Sequence, residues 1–194
     1  MAPTRIILAS ASPQRQALLG ALGVKFDVEE PKIDELTEGD PHELVLDNAR
    51  WKAAAVAANA RPGTLVIAGD TEVVLDGRAL GQPEDESEAR QHLESLSGRE
   101  HEVIGALALL GPDEVDGRPR TREGSTVSKV RFRDIEPPLL DAYLTSEEWR
   151  GRAGSYAIQG LGSALVEEVS GDVSNVIGLP IPLLLALEPS FQRS

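Results

Sequence analysis

A short, uninterrupted apolar run at residues 65–68, Leu-Val-Ile-Ala, has turn-forming residues on both sides. Such a run predicts a strand that is buried on both faces. Asp70 follows it, just past the predicted end of the strand. Because ligands of open α/β sheets bind outside the ends of buried strands, Asp70 is a candidate for chemistry. The alternative is that Asp70 and Thr71 only cap a turn through local backbone hydrogen bonds.

A second buried strand is predicted at residues 5–9, and the chain turns from it directly into a helix. Ser12 is the expected N-cap, and Pro13 fits the first helical position. A helix N-terminus carries free N–H groups and a positive dipole, so with Ser10 before it and Arg15 in its first turn it could hold a phosphate. The alternative is a capped helix with a solvated arginine.

Hydrophobic periodicity predicts that the other elements complete one α/β unit over residues 1–194. In the second helix, residues 42–60, Lys52 falls within the apolar stripe, where it either extends past the core to water or points its ammonium into a cleft. Asp76 and Gly77 are expected to form a two-residue hairpin turn. We further expect strands at 26–29, 101–110, 125–132 and 164–169, helices at 86–96, from 137 and near the carboxyl end, and a polar surface loop at 111–124.

The composition narrows the possible chemistry. Aromatic residues make up only 4% of the chain, so the core must be aliphatic. There is no cysteine, which excludes a disulfide framework and a thiolate nucleophile. His42, His92 and His101 show no ligand spacing and are expected to be structural. Any chemistry then falls to carboxylates and hydroxyls.

The net charge of −13 disfavours nucleic acid and anionic membranes as partners. A small anionic ligand would need a local group of cations, together with a divalent metal. The chain has no signal-peptide pattern and no apolar stretch of the roughly twenty residues that span a bilayer, which predicts a cytoplasmic protein without a membrane anchor. No Walker loop or GxSxG motif is present, and Gly160-Leu-Gly-Ser-Ala-Leu lacks the third glycine of a GxGxxG fingerprint.

Five segments carry a resemblance when they are taken together and in order. They are Ser-Ala-Ser-Pro-Gln-Arg from residue 10, Gly-Asp-Thr from 69, Leu-Ser-Gly-Arg-Glu-His-Glu-Val from 96, Ala-Gly-Ser-Tyr-Ala-Ile-Gln-Gly from 153 and Asn-Val-Ile-Gly-Leu-Pro from 175. They resemble the Maf family of nucleoside triphosphate pyrophosphatases over nearly the whole chain. The resemblance implies a mixed, twisted central sheet with flanking helices, in two lobes around one cleft, related in architecture to inosine triphosphatases.

The resemblance also implies roles for single residues. Asp70 matches the general base that activates water for attack at the α-phosphorus, and Glu35 would help Asp70 to hold Mg²⁺ or Mn²⁺. Residues matching phosphate-side positions are Ser10, Arg15, Lys52 and Arg152, the last standing where the family often has Lys. The positions that differ between the branches of the family are Gln14, Thr71 and Gln159, of which the last two agree with the dTTP and UTP branch and not with the 7-methyl-GTP branch.

The implied activity is the hydrolysis of nucleoside triphosphates, such as dTTP, UTP or modified pyrimidine nucleotides, to monophosphate and pyrophosphate. A homodimer is also implied. Gln82 replaces the Lys of the usual Gly-Lys-Pro, which removes a cation that would face the triphosphate. Gln14 and Gln82 keep open the alternative of a non-catalytic nucleotide sensor that regulates septum formation.

Overall fold

The structure, a computed structural model, describes residues 4–115 and 118–193. These residues form seven strands and six α-helices. The strands are β1 Arg5–Leu8, β2 Asp27–Val28, β3 Thr64–Leu75, β4 Arg78–Ala79, β5 Glu100–Val115, β6 Arg118–Phe132 and β7 Val166–Ser170. The helices are α1 Pro13–Ala21, α2 Pro41–Ala57, α3 Glu86–Leu96, α4 Pro137–Thr145, α5 Val173–Ile177 and α6 Ile181–Leu187. Short 3₁₀ turns lie at Ala153–Ser155, Gly160–Ala164 and Pro189–Arg193.

All seven strands belong to one mixed sheet, which confirms the predicted fold class. Its order is β2-β1-β3-β5-β6-β7, with β4 paired to β3. β1 runs parallel to both β2 and β3, whereas β5, β6 and β7 continue the sheet in antiparallel pairs. The sheet therefore has a parallel half at the start of the chain and an antiparallel half formed by later strands.

Asp70 does not lie past the end of its strand, so that prediction is wrong. β3 pairs with β5 without interruption from Val66 opposite Leu110 to Val74 opposite Glu102, because β5 is long enough to pair with residues on both sides of Asp70. The strand that ends there is β1, whose last pair with β3 joins Leu8 to Ile67. β4 pairs with β3 only from Val74 onward. The edge of β3 at Asp70 and Thr71 is therefore open, and this gap replaces the predicted strand end.

The predicted polar loop at residues 111–124 is also wrong for its described part. β5 continues to Val115 and β6 begins at Arg118, with Leu110 opposite Thr121 and Leu107 opposite Gly124. Antiparallel pairing joins backbone groups, so it tolerates polar side chains on a face that meets water. Residues 116 and 117 lie outside the described residues.

The helix cap and the hairpin turn predicted from the local sequence are both confirmed. Ser12 caps α1, since its Oγ accepts a hydrogen bond from the Arg15 backbone N–H at 3.4 Å. Asp76 and Gly77 have φ angles of 52° and 77°, as a two-residue hairpin turn requires. None of the helices within the described part of the chain is long and apolar enough to cross a membrane.

Helices cover the sheet and bury three apolar clusters. The inner face of α2, which includes Val45, Ala49 and Val56, packs on one side of the parallel half, and α1 and α6 pack on the other side. The third cluster lies at the antiparallel end and gathers the larger side chains Phe132, Tyr143, Trp149 and Tyr156. The aliphatic core predicted from composition holds for the cluster under α2. The cluster under α1 and α6 is aliphatic except for Phe191 and Phe26, and the other buried aromatic residues lie in the third.

Candidate active site

One cavity of about 520 Å³, which we call the site cavity, lies at the open edge of β3. Its walls come from the start of α1, from α2, from β3 and from the segment that follows α4. Every candidate site residue lines it, namely Ser10, Gln14, Arg15, Glu35, Lys52, Asp70, Thr71, Gln82, Arg152 and Gln159. Residues from six separate parts of the sequence therefore meet in one place.

Lys52 points into the site cavity and ion-pairs with two carboxylates. Its Nζ lies 2.7 Å from Asp70 Oδ1 and 2.7 Å from Glu35 Oε2. Lys52 is 5% exposed and Asp70 is 6% exposed, whereas the Glu35 side chain is half exposed. Buried charges of this kind persist when they are paired. The structure thus decides between the two alternatives for Lys52 in favour of the cleft.

Asn48 holds the second oxygen of Asp70, and the sequence interpretation missed it. Its Nδ2 donates to Asp70 Oδ2 at 3.2 Å and to the Leu36 carbonyl at 3.0 Å, while its Oδ1 accepts from the Leu36 N–H at 2.8 Å. Asn48 thus fixes the Asp70 carboxylate and the segment that carries Glu35 relative to each other. Its position one turn before Lys52 on the apolar face of α2 was the available signal, because a buried amide needs partners.

Arg15 connects three walls of the site cavity through its guanidinium. Nε donates to the Gly178 carbonyl at 2.8 Å, Nη1 to Ser10 Oγ at 3.3 Å and Nη2 to Thr71 Oγ1 at 3.1 Å. Burial lowers the pKa of Arg15, and the nearby Asp70 and Glu35 carboxylates act in the opposite direction. The solvated arginine considered from the sequence is therefore excluded, and Arg15 is a fixed cation inside the cavity.

The start of α1 adds polar groups beside Arg15. The backbone N–H of Ser12 donates to Ser10 Oγ at 3.2 Å, and Ser12 Oγ lies 3.1 Å from Gln14 Oε1. Ser12 therefore both caps the helix and holds the carbonyl end of Gln14. These contacts orient the hydroxyl and amide groups toward one side of the cavity.

Arg152 and Gln159 reach the cavity from the opposite wall, on the segment between α4 and β7. Arg152 is partly buried, and its Nε has no hydrogen-bond partner within the described part of the chain. Gln159 is exposed at the cavity rim. Gln82 lies next to this segment, since a Cβ placed on Gly151 would be 4.0 Å from Gln82 Oε1. Arg150 also lines this wall and pairs with Glu147 at 2.8 Å, so the wall combines two arginines with two amides.

The model of the Maf family, described as Maf-like protein, matches residues 5–188. This chain belongs to the Maf family. A dTTP/UTP pyrophosphatase of Pyrococcus furiosus is 39% identical over 94% of this chain and 93% of its own length. A protein of the same name from Pyrococcus abyssi is 44% identical, over 94% of each chain.

A comparison of structures finds a nucleoside-triphosphatase, dITP/XTP pyrophosphatase, from Mycobacterium abscessus, with a TM-score of 0.45. It is 21% identical and covers 68% of this chain and 76% of that one.

Two carboxylates of this Maf family member suit a divalent cation. Mg²⁺ prefers oxygen ligands and is usually held by one or two carboxylates together with substrate phosphates and water. Glu35 and Asp70 face the cavity with such oxygens. No set of three or more His, Asp or Glu side chains that could hold a metal occurs among residues 4–115 and 118–193. The two carboxylates therefore fit a cation whose remaining ligands are phosphate oxygens and water.

Glu72 is a second residue that the sequence interpretation missed. It follows Asp70 by two positions on β3 and so lies on the same face of the strand. Burial raises the pKa of Glu72 to about 7, the Asp70 carboxylate acts in the same direction, and a hydrogen bond from the Gly81 backbone opposes both. Its Oε2 is buried without a partner in the part of the chain that the structure describes. Only strand alternation pointed to it.

Proposed function

We propose that this protein hydrolyses nucleoside triphosphates between the α- and β-phosphates and releases a monophosphate and pyrophosphate. The observation that carries the proposal is that a buried carboxylate, Asp70, shares one cavity with the cations Arg15, Lys52 and Arg152. Relatives that align over nearly the whole chain bear the name of this activity. Carboxylate and cations are the groups that water attack on a phosphate anhydride needs.

In the proposed reaction, Asp70 takes a proton from a water as that water attacks the α-phosphorus. The bond from the α-phosphorus to the bridging oxygen breaks, and the electron pair leaves with pyrophosphate. Lys52 and Asn48 hold both oxygens of Asp70, so the carboxylate needs no reorientation during the step. When bound by Glu35 and Asp70, Mg²⁺ or Mn²⁺ would supply Lewis acidity toward the phosphoryl oxygens and the water.

Three groups of donors are available for the phosphates in this acidic protein, two of them guanidiniums. Arg15 is partly buried and is held in place by Ser10, Thr71 and the Gly178 carbonyl. Arg152 has an unpartnered Nε among the described residues, which a phosphate oxygen would satisfy. The N-terminus of α1 offers backbone N–H groups and a positive dipole. The cavity can thus bind an anion although the whole chain carries a net charge of −13.

We further propose dTTP, UTP and related pyrimidine triphosphates as the substrates. The support is the name of the curated relatives. The resemblance adds Thr71 and Gln159, which match the residues typical of the dTTP and UTP branch. Thr71 is held by Arg15, whereas Gln159 stands at the rim, where it can contact a base. Gln14 departs from that branch. The base preference is therefore measured directly, by assaying pyrophosphate release from a panel of natural and modified triphosphates.

The test is pyrophosphate release by Asp70→Asn compared with Asp76→Asn, which alters an exposed aspartate on the β3–β4 turn. We expect Asp70→Asn to lose at least about 100-fold in kcat while its thermal unfolding stays cooperative, because a general base supplies roughly 10²–10⁴-fold. Asp76→Asn is expected to retain full activity. An active Asp70→Asn would contradict the assigned role. Wild-type protein that binds triphosphates with Mg²⁺ but releases no pyrophosphate would match the sensor alternative.

Divalent metal dependence, a homodimer and a cytoplasmic location belong to the same proposal. The first two rest on the family resemblance, and the third rests on the lack of a signal-peptide pattern in the sequence. Chelation with EDTA should abolish activity, and added Mg²⁺ or Mn²⁺ should restore it. Light scattering during size-exclusion chromatography measures the oligomeric state. Activity that persists after exhaustive chelation would remove the metal from the proposal and leave the roles of the cations intact.

A further inference from the structure

Two histidines outside the site cavity contact the segment that carries Arg152 and Gln159. His92 lies on α3, and its Nδ1 is 2.8 Å from Ser155 Oγ. His101 lies at the start of β5, and its Nε2 is 2.9 Å from the Tyr156 hydroxyl. Successive residues of one segment are therefore each held by an imidazole from a different element.

Ser155 has a backbone conformation that needs support from its surroundings. Its φ is +63°, in the left-handed region that costs a residue with a Cβ about 1–2 kcal/mol, and it is fully buried. Such a conformation persists where several contacts fix it at once. The hydrogen bond to His92 is one of them, and another is the bond from the Gly154 N–H to the Gly81 carbonyl at 2.8 Å.

Tyr156 is fixed by aromatic contacts as well as by its hydroxyl. Its ring packs edge-on against His101, with centroids 5.4 Å apart, and against Phe132, with centroids 4.8 Å apart. His101 is 2% exposed and also packs edge-on against Phe132. Because Tyr156 lines the site cavity, the pair of His101 and Phe132 sets the position of one cavity wall. The next residue, Ala157, donates its N–H to the Tyr143 hydroxyl at 3.0 Å.

We propose that His92 and His101 are positioning residues of the nucleotide site, which hold Ser155 and Tyr156 so that Arg152 and Gln159 face the substrate. The inference rests on the proposed function for the identity of the ligand. The histidines act on the wall that binds the nucleotide, whereas Asp70 is held independently by Lys52 and Asn48. Loss of either histidine should therefore weaken triphosphate binding more than it slows the chemical step.

The experiment uses pairs of variants that separate the hydrogen bond from the bulk of the ring. His101→Leu and His92→Leu remove the polar atoms, whereas His101→Gln keeps a polar group near the place of Nε2 and His92→Asn keeps one near Nδ1. We expect each Leu variant to raise KM for dTTP about tenfold with kcat lowered less than about threefold, and its polar counterpart to recover most of the loss. His42→Gln, at an exposed histidine on α2, should match the wild type.

Where a Leu variant fails to fold, Tyr156→Phe and Ser155→Ala remove only the hydroxyl at the other end of each bond. They should weaken binding by a similar factor. Calorimetry with α,β-methylene-dTTP measures the dissociation constant without turnover, so it detects loss of positioning even if the wild type releases no pyrophosphate. Unchanged dissociation constants in folded Tyr156→Phe and Ser155→Ala would overturn the inference, as would lower kcat at constant KM. Wild-type protein that binds no analogue would overturn it together with the proposed ligand.

Discussion

Lys52 and Asp70 form a buried ion pair, with Nζ 2.7 Å from Oδ1 and both residues less than a tenth exposed. Each charge is needed by the other, because an unpaired charge in this environment carries a large desolvation cost. The pair joins α2 to β3 at the centre of the site cavity. It therefore couples the stability of the fold to the geometry of the site.

Lys52→Met should lower the free energy of unfolding by about 3 kcal/mol, since it leaves the Asp70 carboxylate buried without its cation. Urea unfolding measures this change. Lys129→Met is the matched control, because Lys129 is half exposed and its pair with Glu100 should contribute less than about 1 kcal/mol. Adding Asp70→Asn to Lys52→Met should recover part of the loss. Equal effects of Lys52→Met and Lys129→Met would show that the buried pair is not a source of stability.

Residues close together in the sequence were enough to predict the helix caps and turns. The extent of the strands depends on pairing between distant segments, which these local patterns do not show. Ser12 and the Asp76–Gly77 turn were predicted from neighbours in the sequence, because their hydrogen bonds are local. The course of β3 past Asp70 depends on β5, which begins some distance further along the chain. The sequence therefore indicated the right carboxylate but not the open sheet edge that exposes it.

The residues of the site also divide into those that local sequence patterns predicted and those that they did not. Residues in recognisable segments, such as Ser10 and Arg15, were all brought to the site cavity. Asn48 and Glu72 were missed. Helix and strand periodicity place them on the faces of Lys52 and Asp70, but the tertiary packing decides that Asn48 contacts Asp70 and that Glu72 is buried beside it. The partners of Lys52 could not be chosen from the helix pattern alone, for the same reason.

Glu72 should make the protein less stable as the pH rises. The folded-state pKa of about 7 lies above the ordinary value of 4.5, so between these values the folded chain binds more protons than the unfolded chain. The contribution of Glu72 to the free energy of unfolding is therefore fully present below pH 4.5. It falls by roughly 3 kcal/mol in total as the pH rises through 7. Glu72→Gln should raise the free energy of unfolding near pH 8 and leave it almost unchanged near pH 4. A pH-independent difference in urea unfolding would contradict this account.

Gly154 should not tolerate a side chain. Its φ is +64°, and a Cβ there would lie 2.7 Å from Val73 Cγ1. Gly77 has a similar φ of +77° but nothing within 4 Å of its Cβ position, so Gly77→Ala measures the backbone cost alone. We expect Gly77→Ala to cost about 1 kcal/mol and Gly154→Ala about 2–4 kcal/mol, because the second adds steric overlap with β3.

Thermal and urea unfolding give both values. Gly154→Ala should also raise KM for the triphosphate, since Gly154 lies in the segment that carries Arg152. If the two variants have the same stability, Val73 can move away and the segment is less tightly packed than the structure indicates.

Gln82 should limit the affinity for the triphosphate through its lack of charge. It lines the site cavity beside the segment that carries Arg152, where a cation would face the same anion. Gln82→Lys should lower KM for the preferred triphosphate about three- to tenfold, because Gln82 is exposed and an exposed charge pair contributes up to roughly 1 kcal/mol. Steady-state kinetics at low ionic strength measures the change.

Gln82→Glu is the matched control of opposite charge, because glutamate has nearly the same size as glutamine and is negative. It should raise KM by a similar factor, so KM should be lowest with Lys at position 82, intermediate with Gln and highest with Glu. The spread between the three should shrink when the salt concentration is raised to about 0.5 M, since mobile ions screen interactions at a partly exposed rim. An order that follows side-chain length instead of charge, or a spread that salt leaves unchanged, would place the side chain of residue 82 away from the phosphates. The cations that contact the triphosphate would then be Arg15 and Arg152, which are both partly buried.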